Sequence, residues 1–476
     1  MKKIKLTDNK ILFTCMFFSL LLLLLIPSIR LLKDKPIFPE DHPYYHLKMS
    51  EYIKEEGLPV QEPLIGRPYI PQPYHLILAI TNPFLGSLII PLLCGIISLI
   101  LFYLILKELN LNPLKITTIL LTLILSPIFI FLFSVSNQYT LTITLILAGF
   151  LFFIKDKKYF IPSLIIFASI PFFGILPSIF SILLLLAYSI NNKEKTKYFF
   201  AVFSSVILIL LAYQIPLLYH YGFPNSTKLI NPNILINLLS DLGSTAGYGT
   251  FAVLLSFVGL YYIWKQKKYI ITYALFFLLA MFSFFIPEIY IYLGFIVPIF
   301  AGFGLFYIIK KKWKVDLIKT LTIILIVCGL LFSTLSYINN TSNSLPDQKT
   351  IKSLNWLREN SATTDKIFSH HSKGLWIQTI SSRPVVLDSR TYYIDAIKEK
   401  LNDSNTTFYS RNLEKTRSIL DKYNIKYIYI DEKMKQGQVW TREQQGILFL
   451  FRNNKTFKKV YNRSSIEIWE YLKQND

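Results

Sequence analysis

The chain carries only three cysteines in 476 residues, and Cys15, Cys94 and Cys328 each lie within a long apolar run. That scarcity leaves no disulfide framework and no zinc-type spacing. Acids are scarce as well, with 29 Asp and Glu against 50 Lys and Arg. Scarcest of all is charge in the middle of the apolar runs, where one ionised side chain costs about 3 kcal/mol or more. None can be placed there, which argues against ion pumps and transporters that work through buried acids, histidines or arginines. There is no internal repeat and no low-complexity linker beyond an Asn/Ser-rich hinge, INNTSNSLPDQ. The first apolar run, Ile11 to Arg30, has a charged start but no small-residue cleavage pattern, so it reads as a retained span.

What abounds is apolar length. Hydrophobic residues make up 53% of the chain and the mean hydropathy is positive, which an ordinary soluble domain of this size does not tolerate. The pattern predicts a polytopic α-helical membrane protein. Runs able to cross roughly 30 Å of hydrocarbon recur from Ile11 to about Ile338 and then stop. The expected spans cover about 11–30, 84–106, 116–134, 138–154, 159–171, 174–190, 198–219, 247–264, 269–286, 289–309 and 316–337, about eleven in all. The fifth and sixth contain Pro171, Gly174 and Pro177, and one re-entrant hairpin is the alternative there.

Lysines bracket alternate spans: Lys2, Lys3, Lys5 and Lys10, then Lys107 and Lys115, Lys155 to Lys158, Lys193 to Lys197, Lys265 to Lys268, and Lys310 to Lys314. By the positive-inside rule the N-terminus is cytoplasmic, and an odd number of spans puts the C-terminus outside. The net charge of +21 is thus a topology signal, and nucleic acid is not an expected partner.

Two domains are expected. Residues 1–340 form the membrane part, with a long first outer loop over 31–83, and residues 341–476 form a small extracytoplasmic α/β domain. In the loop, Pro43 to Glu56 reads as a helix with Asp41 or His42 near its cap and Gly57 as its terminator, and YHLILAI reads as a short helix at the membrane surface. A second outer segment includes NILINLLSDLGS, an amphipathic helix candidate. In the C-terminal domain, KIFSH, RPVVLD and KYIYID read as strands, and FKKVYNRSSIEIWEYL as a hairpin turning near Asn462.

The ionisable groups outside the lysine-rich side gather at the outer ends of the spans: Glu40, Asp41, His42, His46, His75, His220, Asp241 and Glu288, joined by Lys48 and Arg67. That distribution points to a site at the outer surface, in reach of lipid headgroups.

The stretch DHPYYHLKMSEYI resembles the first outer loop of the oligosaccharyltransferase catalytic subunit and its archaeal relatives, members of the C-type, polyprenyl-phosphate-sugar-dependent membrane glycosyltransferases. YIPQPYHLILAI, IYLGFIVPIFAGFGL and LNWLRENSATTDKIFSHHSKGLWIQTISSRPVVLD are similar to later parts of the same family. The resemblance implies a membrane glycosyltransferase fold, a polyprenyl-phosphate- or pyrophosphate-linked sugar donor, membrane lipids as surroundings, and an acid in the first loop as the catalytic group. The sequence departs from the family in three places. His42 stands where the family's acid stands, with Asp41 one residue earlier. The outer-domain Trp-Trp-Asp-Tyr-Gly is replaced by SHHSKGLW, which keeps Gly374 and Trp376. The second outer loop reads SVSNQYT, with Asn137 and no acid, where the family supplies metal ligands.

Transfer of a sugar from a lipid phosphate needs an acid or base at the attacking group and cationic or hydrogen-bonding groups at the departing phosphate. Asp41 is the expected catalytic residue, placed to orient or deprotonate an acceptor hydroxyl; capping of the helix that follows is its alternative role. Lys48 and Arg67 are the expected phosphate ligands, with headgroup snorkelling as the alternative. Glu40, His42, His46, His75, Asp241 and Glu288 are supporting candidates, and Tyr44, Tyr45 and Tyr52 are candidates for stacking on sugar rings. A divalent metal is open through Asp41, His42 and His46, the histidines standing one helical turn apart. The expected activity is transfer of a sugar or glycan to an acceptor on the outer face. An oligosaccharyltransferase with an altered acceptor motif, a non-catalytic scaffold of a glycosylation complex and a lipid or glycan transporter are the alternatives.

Overall fold

A computed structural model describes residues 8–221, 238–244, 246–264, 270–286, 288–391 and 393–473. The His220 side chain, residues 233–237 of the expected amphipathic helix, and the lysines at 2, 3, 5, 265, 267 and 268 lie outside the described residues.

The chain begins with α1 (Asp8–Leu32) and makes two shorter helices in the first loop, α2 (His42–Glu56) and α3 (Pro73–Ile80). It continues as α4 (Pro83–Glu108), α5 (Pro113–Ile124), α6 (Pro127–Ser134), α7 (Tyr139–Ile154), α8 (Phe160–Ser169), α9 (Ile175–Asn191) and α10 (Thr196–Tyr221). Beyond these come α11 (Thr250–Trp264), α12 (Ile270–Phe282), α13 (Ile289–Lys310) and α14 (Asp316–Asn343). A helix or a broken pair occupies every expected span. Among the described residues α1, α4, α10, α13 and α14 are long and apolar enough to cross a membrane singly, and α5 with α6 makes a sixth crossing if the pair, bent by 64°, is one span.

Proline sets many of these boundaries. It begins α2 through α6 at an early helical position, where its missing N–H is no loss. Asn82 and Asn112 cap α4 and α5 by accepting from the next turn's amides at 2.9 to 3.2 Å. Pro127 breaks the α5–α6 ladder for the same reason, and the displaced α6 is buried from Pro127 to Phe133. Glycine governs one close helix pair. A Cβ at Gly259 of α11 would collide with the Phe300 carbonyl of α13, and one at Gly304 of α13 with the Leu255 carbonyl. Small residues of this kind let membrane helices approach to backbone contact.

The C-terminal domain starts with α15 (Gln348–Asn360), capped by Asp347. Its four-stranded sheet has the order β1-β2-β4-β3. β1 (Lys366–Phe368) runs parallel to β2 (Ile425–Ile430), and β4 (Ile466–Tyr471) pairs antiparallel with both β2 and β3 (Phe457–Arg463). RPVVLD, expected as a strand, makes only an isolated bridge between Val385 and Ile367; it lines the sheet edge and turns away toward the first loop. In the described part of the expected amphipathic helix Leu238 is helical, Leu239 bridges Tyr248 and Ser240–Leu242 form one 3-10 turn.

The first loop is packed into the C-terminal domain. Phe38, Tyr44 and Leu47 share a core with Trp376, Tyr427 and Ile468, and Tyr45 and Met49 share another with Tyr69 and Leu375. Arg30, fully buried at the end of α1, pins this junction. It donates to the carbonyls of Pro36 at 2.6 Å, Phe38 at 3.2 Å, Ser342 at 3.2 Å, Ser344 at 2.9 Å and Pro346 at 2.8 Å. Its guanidinium thus serves as a donor hub for loops whose carbonyls would otherwise be buried unpaired.

Candidate active site between the first loop and the C-terminal domain

The start of α2 sets the site. Asp41 is its N-cap residue but has helical backbone angles, and its side chain makes no capping hydrogen bond. The capping alternative is therefore corrected: with Asp41 in the αR region and Pro43 in the first turn, the carboxylate is not turned toward the helix amides. It stays half-buried and accepts instead from the Ser389 hydroxyl of the C-terminal domain. Glu40, one residue back, has a left-handed backbone held by its N–H to the Leu345 carbonyl at 2.7 Å and by Trp376 Nε1 donating to its carbonyl at 2.8 Å. Burial first, then the neighbouring Asp41 charge, push the Glu40 carboxyl up to about 7, against the pull of Arg30.

Behind this pair lies a buried polar network. His46 Nδ1 and His75 Nε2 are 2.8 Å apart, and the Tyr69 hydroxyl is 2.8 Å from His75 Nδ1. Burial is the main cause that holds both rings neutral, His46 well below the usual range and His75 at about 3, with the positive charge of Arg390 acting in the same direction. Tyr45 donates to Glu62 at 2.8 Å, and Glu62 pairs with Arg67 at 2.5 Å. Arg67 pairs also with Asp388 at 2.8 Å. Gln378 Nε2 donates to the other Asp388 oxygen at 3.0 Å, and Lys48 donates to Gln378 Oε1 at 2.6 Å and to the Pro63 carbonyl at 2.8 Å.

The two expected phosphate ligands lie within this network. Lys48 and Arg67 are buried and committed to internal partners, because the loop and the domain each bring uncharged or anionic groups that need them. Burial also lowers the Lys48 amine to about 8, against the pull of Glu62 and Asp388. Tyr44 and Tyr45 are buried rather than open to a sugar ring, while Tyr52 is half-exposed. His42 is exposed at the first position of α2, whereas His46 faces inward to His75. Asp41, His42 and His46 do not converge as a ligand set, and no group of three His, Cys, Asp or Glu suited to a metal occurs among the described residues.

Asp241 and Glu288 stand apart from this network. Asp241 Oδ2 accepts from Thr250 N at 2.7 Å and Ser333 Oγ at 3.0 Å, so it caps α11 and ties it to α14. Glu288 begins α13 beside Tyr292. Asn137 is consumed by its own turn, accepting from Thr140 N at 3.1 Å and donating to the Val135 carbonyl at 2.6 Å, while Ser136 bonds Tyr74 of α3 at 2.7 Å.

No family profile and no curated protein matches the sequence, but solved structures match the fold. The archaeal oligosaccharyltransferase AglB from Archaeoglobus fulgidus, solved with an inhibitory peptide and a dolichol-phosphate, aligns with a TM-score of 0.64 at 12% identity, over 98% of this chain and 74% of that one. The fold is that of a C-type membrane glycosyltransferase. Within the same C-type fold, ArnT from Cupriavidus metallidurans bound to undecaprenyl phosphate aligns at 0.54 with 8% identity, over 96% of this chain and 97% of the other. The mycobacterial arabinofuranosyltransferase AftD aligns at 0.57 with 12% identity, over 99% of this chain and 42% of its own.

In this C-type fold, reading the sequence missed Ser389 and Arg390. Ser389 stands 348 residues from Asp41 in the chain, and Arg390 lays its guanidinium 3.8 Å from the centroid of the Tyr45 ring. The only local signal is the run LDSR after an apolar pair, which reads equally well as the polar end of a strand.

Proposed function

We propose that this protein transfers a sugar or glycan from a polyprenyl-phosphate-linked donor to an acceptor at the outer face of the membrane, with Asp41 as the base. The supporting observation is the Asp41 carboxylate, free of the helix end it precedes and presented where the first loop meets the C-terminal domain. The fold adds weight, since proteins that share it have been solved with dolichol-phosphate and with undecaprenyl phosphate.

In the proposed reaction Asp41 accepts the proton of the acceptor as the acceptor attacks the anomeric carbon. The carbon–oxygen bond to the phosphate breaks, its electron pair stays on the phosphate oxygen, and the polyprenyl phosphate or pyrophosphate departs. Glu40, half-neutral near pH 7, stands by as a proton reservoir, and the neutral His46–His75 pair holds α2 against α3. The acceptor is proposed to differ from a sequon asparagine. Lys373, within the segment that replaces the family's acceptor motif, is buried in an ion pair with Asp431 at 2.5 Å, and Trp376 is spent on the Glu40 carbonyl. About eleven spans, a cytoplasmic N-terminus and an extracytoplasmic C-terminal domain complete the proposal.

A second reading, a non-catalytic scaffold of a glycosylation complex, is favoured by Asn137, which caps its own turn where the resemblance expects an acid. One experiment separates the two: radiolabel transfer from native polyprenyl-linked donors by membranes carrying wild type or Asp41→Asn, with and without chelator. The enzyme reading expects wild-type transfer that falls by about a hundredfold or more in the variant. Equal transfer by a well-folded Asp41→Asn protein removes Asp41 from the reaction, and the chelator arm reads directly whether a metal is needed.

A further inference from the structure

With Lys48 and Arg67 spent inside the protein, the donor phosphate needs another cation. Arg390 is half-buried beside Tyr45, and among the described residues its side chain makes neither an ion pair nor a hydrogen bond. Attraction to the aromatic face holds the guanidinium in place without using up its N–H donors, and a guanidinium can give two of these to two oxygens of one phosphate.

The position of Arg390 is built by the buried network. Asp388, fully buried, accepts from the Arg390 backbone N–H at 2.9 Å, from Arg67 at 2.8 Å and from Gln378 at 3.0 Å. Arg67 donates also to the Arg390 carbonyl. Lys48 holds Gln378 in turn. The backbone on either side of Arg390 is therefore clamped, and the residue before it, Ser389, reaches Asp41. One clamped turn of the C-terminal domain thus carries both the hydroxyl that bonds the first-loop carboxylate and, at the next residue, a cation over the first-loop Tyr45.

We infer that Arg390 binds the phosphate of the polyprenyl donor and that Ser389 is a positioning residue for Asp41, so that the C-terminal domain completes the catalytic centre. The inference rests on the glycosyltransferase reading above. As the anomeric carbon–oxygen bond breaks, the guanidinium N–H groups take up the charge that grows on the phosphate oxygen, while Asp41 receives the acceptor's proton. Nothing else is consumed.

The test uses the full chain in lipid nanodiscs, with polyprenyl phosphate and the corresponding polyprenol as probes. Arg390→Ala is expected to weaken polyprenyl phosphate binding and raise the donor KM by about tenfold or more, with its thermal midpoint unchanged. Arg390→Lys is expected to recover part of that loss, and the polyprenol, which lacks the phosphate, to bind wild type and variant alike. Ser389→Ala is expected to lower kcat without changing polyprenyl phosphate binding. Wild-type affinity for polyprenyl phosphate in Arg390→Ala overturns the inference, as does a loss shared equally by the polyprenol. If wild type binds the phosphate through Arg390 yet transfers nothing, the reaction falls and the binding role stands; if wild type binds no polyprenyl phosphate, both fall.

Discussion

At the scale of single residues, the tightest constraint on the site is electrostatic. Glu40 has an ordinary carboxyl pKa of 4.5 when unfolded and one of about 7 in the native protein. Between those values the native state binds the proton that the unfolded chain has released, so this residue's contribution makes stability fall as pH rises from 4.5 to 7. His46 and His75 act in the opposite sense, because their depressed native pKa values make the protein lose stability as pH falls below about 6.5. Comparing variants isolates the Glu40 contribution. Thermal midpoints of wild type and Glu40→Gln, measured from pH 4.5 to 8, are expected to diverge in favour of the variant as pH rises and to run parallel above about 7. Parallel curves throughout would show that Glu40 is not held in its protonated form. At this scale the sequence showed which groups exist and not their state. Asp41, Lys48 and Arg67 were all visible as ionisable, yet whether each is free or paired depends on groups hundreds of residues away.

At the scale of elements, most of the helices were legible. Prolines at early helical positions, Asn caps and apolar length mark local boundaries, and local boundaries depend on nearby residues. The misreading of RPVVLD shows the limit. Its composition suits a strand, but the parallel edge beside β1 leaves room only for the Ile367–Val385 bridge before the chain turns to carry Asp388 inward. The glycine pair of α11 and α13 was likewise silent in the sequence, since its importance comes from a partner helix. Gly259→Leu is expected to force the two helices apart and lower the thermal midpoint, a destabilisation of about 2 kcal/mol or more. A Gly259→Leu protein as stable as wild type would contradict the close crossing.

At the scale of the whole molecule, the first loop is the joint between two domains. Its orientation across the membrane is the proposed part, and it is testable with cysteines. In intact cells an impermeant thiol reagent is expected to label Ser464→Cys in the turn between β3 and β4, and to reach Lys157→Cys on the lysine-rich face only after permeabilisation. The reverse pattern would overturn the orientation. The sequence by itself determined that this is a multi-helix membrane protein with a separate C-terminal domain and a polar first loop, because hydropathy, charge bias and helix punctuation are properties of neighbouring residues. It also marked Asp41 as the acid to watch. Only the tertiary structure decided that Asp41 is free of its helix, that Arg67 and Lys48 are committed, that Ser389 reaches the acid and that Arg390 lies over the Tyr45 ring. Those outcomes depend on Arg30, Trp376 and Asp388 holding distant segments together, and the desolvation of a buried charge is settled by every group packed around it rather than by its place in the chain.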